Sequence, residues 1–319
     1  MVSVLNWGMG HASRTGVLIG ELIKQHNTVE IVSSGIAYNY LKLQFPSLNI
    51  YNLNFPELIY PSHSQLWMSL LMQQKKILGA VKQENAWVKK YLESNPADLI
   101  VSDNCYGFYS PNVHSVFLTH QLNLKAPFFE KKLNRKIQSL IEPFNEIWIP
   151  DVETALNLAG SLAHPAHPSK PCTYIGPLSA LSKKNMPLNY KYCAVISGPE
   201  KQRTVFENMV IDFLNKENQP SVLVRGVFSP KNTRTINAQI RVYDFLHGLP
   251  LANVMNESEA IICRSGYSSI MDLYFLEKPC ILIPTPGQSE QEYLHKKHSQ
   301  SSSSTLENAQ PVKISLCKG

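Results

Sequence analysis

Two stretches of this sequence hold residue types that could do chemistry. In "NWGMGHASR", residues 6–14, Gly8 and Gly10 flank a turn that is followed at once by His11 and Arg14. Two glycines so close permit a sharp bend or the near approach of another molecule to the main chain. A histidine there can take up a proton near neutral pH, although a purely structural histidine reads the same way. In "RSGYSSIMDLYFLEKPCILIPTPGQSEQEY", residues 264–293, Arg264, Ser265 and Gly266 stand between an apolar run and a helix-like segment. Backbone N–H groups at such a turn, with a helix dipole behind them, suit a diphosphate. Asp272 lies close enough on the same helix to grip two vicinal hydroxyls of a ribose; capping by Ser268 or Ser269 with a solvated Asp272 is the plain alternative. Gln288, Gln291 and Glu292 are groups of the kind that bind sugar hydroxyls, and a polar helix start would look alike.

The first loop is a poor dinucleotide fingerprint. Ser13 stands where the third glycine of G-x-G-x-x-G belongs, and no acidic residue ends the next strand-like run, "TVEIVSS". His11 is the candidate base at the end of the first strand. Asp103, in "VSDNCYG", is its rival, the carboxylate that orients it, or a cap for the following turn. His120 in "FLTHQLNL" sits at another strand end, and the adjoining "KAPFFEKKLNRK" mixes basic and aromatic residues. That mixture fits either a solvated helix face or a peripheral contact with an anionic membrane.

These groups need elements to hold them. Apolar runs alternate with amphipathic segments: "VSVLN", a helix over 13–25, "TVEIVSS", a helix within 65–94 (Leu66, Leu70, Leu71, Ile77, Leu78, Val81), "DLIVSD" and "HSVFLTHQ". Pro165, Pro168, Pro171, Pro177 and Pro187 then interrupt the pattern. It restarts with "YCAVIS", a helix over 205–214, "SVLVRG", "IRVYDFL", "EAIICRSG", a further helix and "PCILIP". Strand and helix in alternation predict parallel sheets covered on both faces. The expected organisation is α/β: a doubly wound domain over 1–165, a linker over 166–190, a second doubly wound domain over 191–298, and an atypical, disordered, serine-rich tail over 299–319.

Composition narrows the function classes. The chain has 319 residues, of which 44% are apolar and 17% charged, and no apolar run approaches the roughly 20 residues of a membrane span. The start lacks the pattern of an export signal, so cytoplasm is the expected location. Six scattered cysteines support neither a zinc site nor a disulfide framework. A net charge of +6 favours anionic partners, but no nucleic-acid recognition motif accompanies it.

The pairing of "GMGH" after the first strand with "RSGYSSIMD…ILIPTPGQSEQEY" resembles the GT-B nucleotide-sugar glycosyltransferases, specifically the MurG-like branch and its bacterial relatives, over residues 1–296. The resemblance implies two Rossmann-like domains facing a central cleft, an acceptor on the N-terminal domain, a nucleotide sugar, UDP-linked by expectation, on the C-terminal domain, and no metal or cofactor. It gives His11 a role near the acceptor hydroxyl or donor phosphate, with Gly8, Gly10, Arg14 and His120 on the acceptor side. Ser265 and Gly266 match the phosphate turn, with Arg264 adding charge; Asp272 matches a ribose ligand that is usually glutamate. Gln291 and Glu292 match the pair on the donor sugar, with Gln288 beside them, and Ser197, Gly198 and Arg203 match the other donor loop. The second member of the sugar pair is commonly glutamine, so Glu292 leaves the sugar open. The chain also departs from the family in its short first strand, which points to a start upstream of Met1, and in lacking the family's closing strand and helices after about Lys297, as a truncation or frame change would produce. A non-catalytic nucleotide-sugar binder and a UDP-sugar epimerase are the alternatives.

Overall fold

The computed structural model describes residues 1–53, 73–126, 128–165, 167, 169–228, 233–299, 312–314 and 317–318. The expected helical positions Leu66, Leu70 and Leu71, and most of the expected tail, lie outside them. The chain divides into two compact units, Met1–Leu178 with Lys318–Gly319, and Ser179–Cys317.

The first unit is built on β1 (Val2–Val4), α1 (Met9–Lys24), β2 (Ile31–Ser33), α2 (Gly35–Gln44), β3 (Ile50–Asn52), α3 (Gln74–Leu92), β4 (Leu99–Asp103), β5 (His114–Leu118), α4 (Glu130–Ile141), β6 (Glu146–Ile149), the two-residue β7 (Leu156–Asn157) and β8 (Cys172–Tyr174). Its main sheet runs β3-β2-β1-β4-β5-β6-β8, parallel throughout. The strand order reverses direction between β1 and β4, so the loops leaving these neighbours diverge and open a crevice at their carboxyl ends. The apolar runs form strands because both faces are covered: Val2, Val4, Ile31, Ile100, Val101 and Val116 are all buried.

Two sequence expectations change here. Helix α1 begins at Met9, not at residue 13, because Gly8 takes φ +73° at its N-cap and turns the chain early. His11 is therefore on the first helical turn, with Gly10 beside it, and not on the loop. The expected linker also holds β8, which pairs in parallel with β6 at the sheet edge. Pro171 directly precedes this strand, and prolines are tolerated at the start of an edge strand.

The second unit contains β9 (Tyr190–Val195), α5 (Gln202–Glu217), β10 (Ser221–Val224), β11 (Thr233–Thr235), β12 (Ile240–Tyr243), α6 (Gly248–Asn256), β13 (Ser258–Arg264), α7 (Tyr267–Leu276), β14 (Pro279–Ile283), α8 (Ser289–His298) and β15 (Val312–Lys313). The sheet order is β11-β12-β10-β9-β13-β14-β15, with five parallel strands between antiparallel edges. Here the reversal falls between β9 and β13. Phe206, Val210 and Leu214 of α5 pack with Ala194, Leu223, Ile262 and Ile281 in one buried cluster. Strand β15 corrects the expectation of a disordered tail at Val312 and Lys313: its backbone pairs with the otherwise open edge of β14.

Candidate functional site

In the first unit the β1/β4 crevice is organised around one carboxylate. Asp103 ends β4 opposite Val4, and Leu5 donates its N–H to the Asp103 carbonyl (3.2 Å). His11, Arg14 and Thr15 stand at i, i+3 and i+4 on α1 and so share a helix face. All three reach Asp103. His11 Nδ1 lies 2.9 Å from Oδ1, Thr15 Oγ1 donates to Oδ2 at 2.5 Å, and Arg14 donates through Nε to Oδ2 (3.3 Å) and through Nη2 to Oδ1. Asn104 Nδ2 adds a further donor to Oδ1 at 3.1 Å.

Asp103 and Arg14 are fully buried, whereas the His11 side chain keeps 14% of its surface exposed. Burial alone would raise the Asp103 carboxyl; the Arg14 guanidinium and His11 outweigh it and hold the group well below the usual carboxylate range. An ionised carboxylate only accepts, so the His11 proton belongs on Nδ1, and Nε2 is the ring's remaining basic site. Arg14 Nη2 also lies 3.0 Å from His11 Nδ1, but two donors facing each other make a contact, not a bond. Arg14 Nη1 donates to His120 Nδ1 at 2.7 Å, which puts the His120 proton on Nε2. Sequence reading singled out His11, Arg14, Asp103 and His120, and the fold brings all four together. Thr15 and Asn104 were missed; H-x-x-R-T at helical spacing is the signal for Thr15 once the helix starts at Met9.

In the second unit, Val195 of β9 pairs with Cys263 of β13. Two residues further on, Ser197 and Ser265 therefore leave neighbouring strands at the same level. Gly198 follows with φ +118°. Gly266 is the N-cap of α7, and a Cβ placed there would lie 3.9 Å from Gln291 Nε2, so the Gln291 amide and the start of α7 are close. Ser265 Oγ donates to the Gln291 carbonyl (2.8 Å), Thr285 N–H donates to Gln291 Oε1 (2.8 Å), and Gly287 N–H to Glu292 Oε1 (2.9 Å). Gln288 caps α8. Asp272, partly exposed, accepts from Ser179 Oγ at 2.5 Å, and burial pushes its carboxyl up to about 7.

Both expected phosphate arginines already have protein partners. Arg264 is buried, lies 4.1 Å over the Phe206 ring and donates to the Pro284 carbonyl (2.7 Å); burial lowers its guanidinium to about 10. Arg203 donates to Glu200 Oε2 and Oε1 (3.0 and 2.9 Å) and to Glu207 Oε2 (2.6 Å). Glu207 and Asp244 also bind Arg225, at 2.5 and 2.8 Å. Arg203 belongs to a five-member charge network, and its charge is matched before any ligand arrives. Among the described residues, no group of three or more His, Cys, Asp or Glu side chains is placed to hold a metal ion.

The sequence matches known families in both units. Residues 1–122 match Glycosyl transferase family 1, and residues 208–306 match the Glycosyltransferase family 28 C-terminal domain. The chain is a glycosyltransferase of the GT-B fold. Solved structures agree with this glycosyltransferase in fold. The glycosyltransferase SnogD from Streptomyces nogalater is 15% identical with a TM-score of 0.59, over 92% of this chain and 84% of its own. MurG of Acinetobacter baumannii is 16% identical with a TM-score of 0.51, over 93% and 82%. Arabidopsis thaliana UGT89C1, complexed with UDP-L-rhamnose, is 12% identical with a TM-score of 0.58, over 92% and 82%. No curated protein matches the sequence.

Proposed function

We propose that this glycosyltransferase moves a sugar from a UDP-sugar to an acceptor hydroxyl, without metal or cofactor, using His11 as general base. One observation carries the reading: His11 Nδ1 sits 2.9 Å from a buried, ionised Asp103, which orients the ring and stabilises the imidazolium that forms when Nε2 takes a proton. The acceptor oxygen bonds to the anomeric carbon as the bond from that carbon to the diphosphate oxygen breaks. The acceptor proton passes to Nε2, and the nucleoside diphosphate leaves with the electron pair. Arg14 and Thr15 keep Asp103 ionised and fixed, so the base needs no reorganisation during transfer.

The donor is assigned to the second unit. The Ser265–Gly266 turn and the start of α7 suit its diphosphate, Ser197 and Gly198 the neighbouring loop, Asp272 the ribose, and Gln288, Gln291 and Glu292 the sugar. Backbone groups, not Arg203 or Arg264, meet the phosphates in this assignment. A nucleoside diphosphate donor draws support from UGT89C1, complexed with UDP-L-rhamnose, and from a spinosyn rhamnosyltransferase, SpnG, complexed with thymidine diphosphate; uridine itself has the first of these alone behind it.

Incubation with radiolabelled UDP-, dTDP- and GDP-sugars tests the function. Transfer or hydrolysis of the UDP-sugar is expected; binding of UDP-sugars with no turnover would leave a non-catalytic binder.

The acceptor side includes a peripheral contact with an anionic membrane, reached from the cytoplasm. Phe128 and Phe129 are each 64% exposed beside exposed Lys131, Lys132 and Arg135 of α4. Among the described residues no helix is long and apolar enough to cross a membrane. Co-sedimentation with phosphatidylglycerol vesicles, weakened in Phe129→Asp and absent with phosphatidylcholine, is expected; equal recovery with both lipids would contradict the contact.

A further inference from the structure

The loop that follows Asp103 is gripped from outside by two adjacent residues of α3. Gly107 donates its N–H to Glu84 Oε2 at 2.7 Å, and Asn85 Nδ2 donates to the carbonyls of Gly107 (3.1 Å) and Tyr109 (2.9 Å). The two peptide groups flanking Gly107 are thus tied to neighbouring side chains of one helix. The approach is so close that a Cβ on Gly107 would lie 2.3 Å from the Val81 carbonyl oxygen and 2.5 Å from Glu84 Cβ, so only glycine fits. Glu84 is 8% exposed, an unusual position for a carboxylate that has no cationic partner among the described residues.

The grip is transmitted to the carboxylate through a short, tightly bonded segment. Phe108 donates its N–H to the Cys105 carbonyl (3.2 Å), and Ser102 Oγ donates to that same carbonyl (2.5 Å). Asn104 takes φ +57° between them and donates from its side chain to Asp103 Oδ1. Asparagine tolerates this left-handed conformation, so the link from the loop to the carboxylate is the Asn104 side-chain bond itself.

We propose that Glu84 and Asn85 are positioning residues that set Asp103, and through it His11, by clamping the 104–109 loop onto α3. The inference rests on the base assignment above, and it needs the loop to have two arrangements: seated on α3, and loosened when either tie is lost. A carboxylate displaced by a fraction of an ångström no longer holds the imidazole in line, and such misplacement costs rate without costing nucleotide affinity.

The test uses the full chain with Glu84→Ala, Asn85→Ala and Glu84→Gln. Glutamine keeps an oxygen for the Gly107 N–H, so it separates the bond from the charge. The first readout is the low-field proton resonance of His11 Nδ1–H, which reports the bond to Asp103 whether or not a donor is turned over. The second is transfer turnover alongside UDP affinity by calorimetry. In both alanine variants the resonance should shift or broaden and kcat should fall about 10- to 100-fold with UDP affinity unchanged, and Glu84→Gln should recover both. Folded alanine variants with the wild-type resonance and wild-type kcat would overturn the clamp. A resonance that responds as expected in a chain that turns over no donor would support the clamp while the transferase reading failed.

Discussion

The crevice of the first unit and that of the second are both lined with charge, but they spend it differently. At β1/β4 an arginine, a threonine and a histidine converge on one buried carboxylate, and the ring left at the margin keeps a basic nitrogen. At β9/β13 the arginines are already engaged by the protein, Arg203 by Glu200 and Glu207 and Arg264 by the Pro284 carbonyl. What remains there is glycine backbone, a helix start and the amide of Gln291. An arginine near a strand end is thus informative only once its partners are known: in one crevice it holds a carboxylate beside a histidine, in the other it is matched by other protein groups.

The sharpest way to break this contrast is to remove the organising carboxylate. Asp103→Ala leaves Arg14 buried and unmatched, and unfolding by denaturant should show a loss of roughly 3–5 kcal/mol together with loss of transfer. Because the folded Asp103 is held below its ordinary value, its contribution is present above about pH 4 and is lost as the pH falls below that. Urea midpoints between pH 5 and pH 3 should drop more steeply for the wild type than for Asp103→Asn.

Glu84 has the opposite sign. Burial raises it to about 7 from 4.5, so its contribution is complete below the unfolded value and is lost as the pH rises through 7. Glu84→Gln should gain roughly 3 kcal/mol on the wild type between pH 5 and pH 8, read from paired denaturant curves. A constant difference across that range would place the carboxylate in water.

Arg203→Met probes the second crevice. It should cost about 1–3 kcal/mol by leaving Glu207 short of a donor, and UDP affinity by calorimetry should stay within about twofold. A large loss of UDP affinity would restore Arg203 to the donor. Ser265→Ala should be the mildest, about 1 kcal/mol in stability for the lost bond to the Gln291 carbonyl.

Much of the fold was legible because runs such as "DLIVSD" and "EAIICRSG" are buried on both faces and need no alternation. Strand β8 was hidden behind prolines, and β11, exposed at every residue, carries no apolar signal. The residues around Asp103 were legible by type; their convergence was not, because it depends on Gly8 starting α1 four residues early. The direction of Arg264 is set by the Pro284 carbonyl, which no local pattern encodes. Arg203 was different: Glu200 and Glu207 stand three residues before it and four after, a neutralising pattern present in the sequence itself.

In the proposed reaction Asp103 prepares His11 to take the acceptor's proton. Transfer turnover of His11→Ala, measured beside UDP affinity on the same sample, tests it most directly. Turnover should fall roughly 10²–10⁴-fold with affinity unchanged; turnover equal to that of the wild type would remove His11 from the reaction.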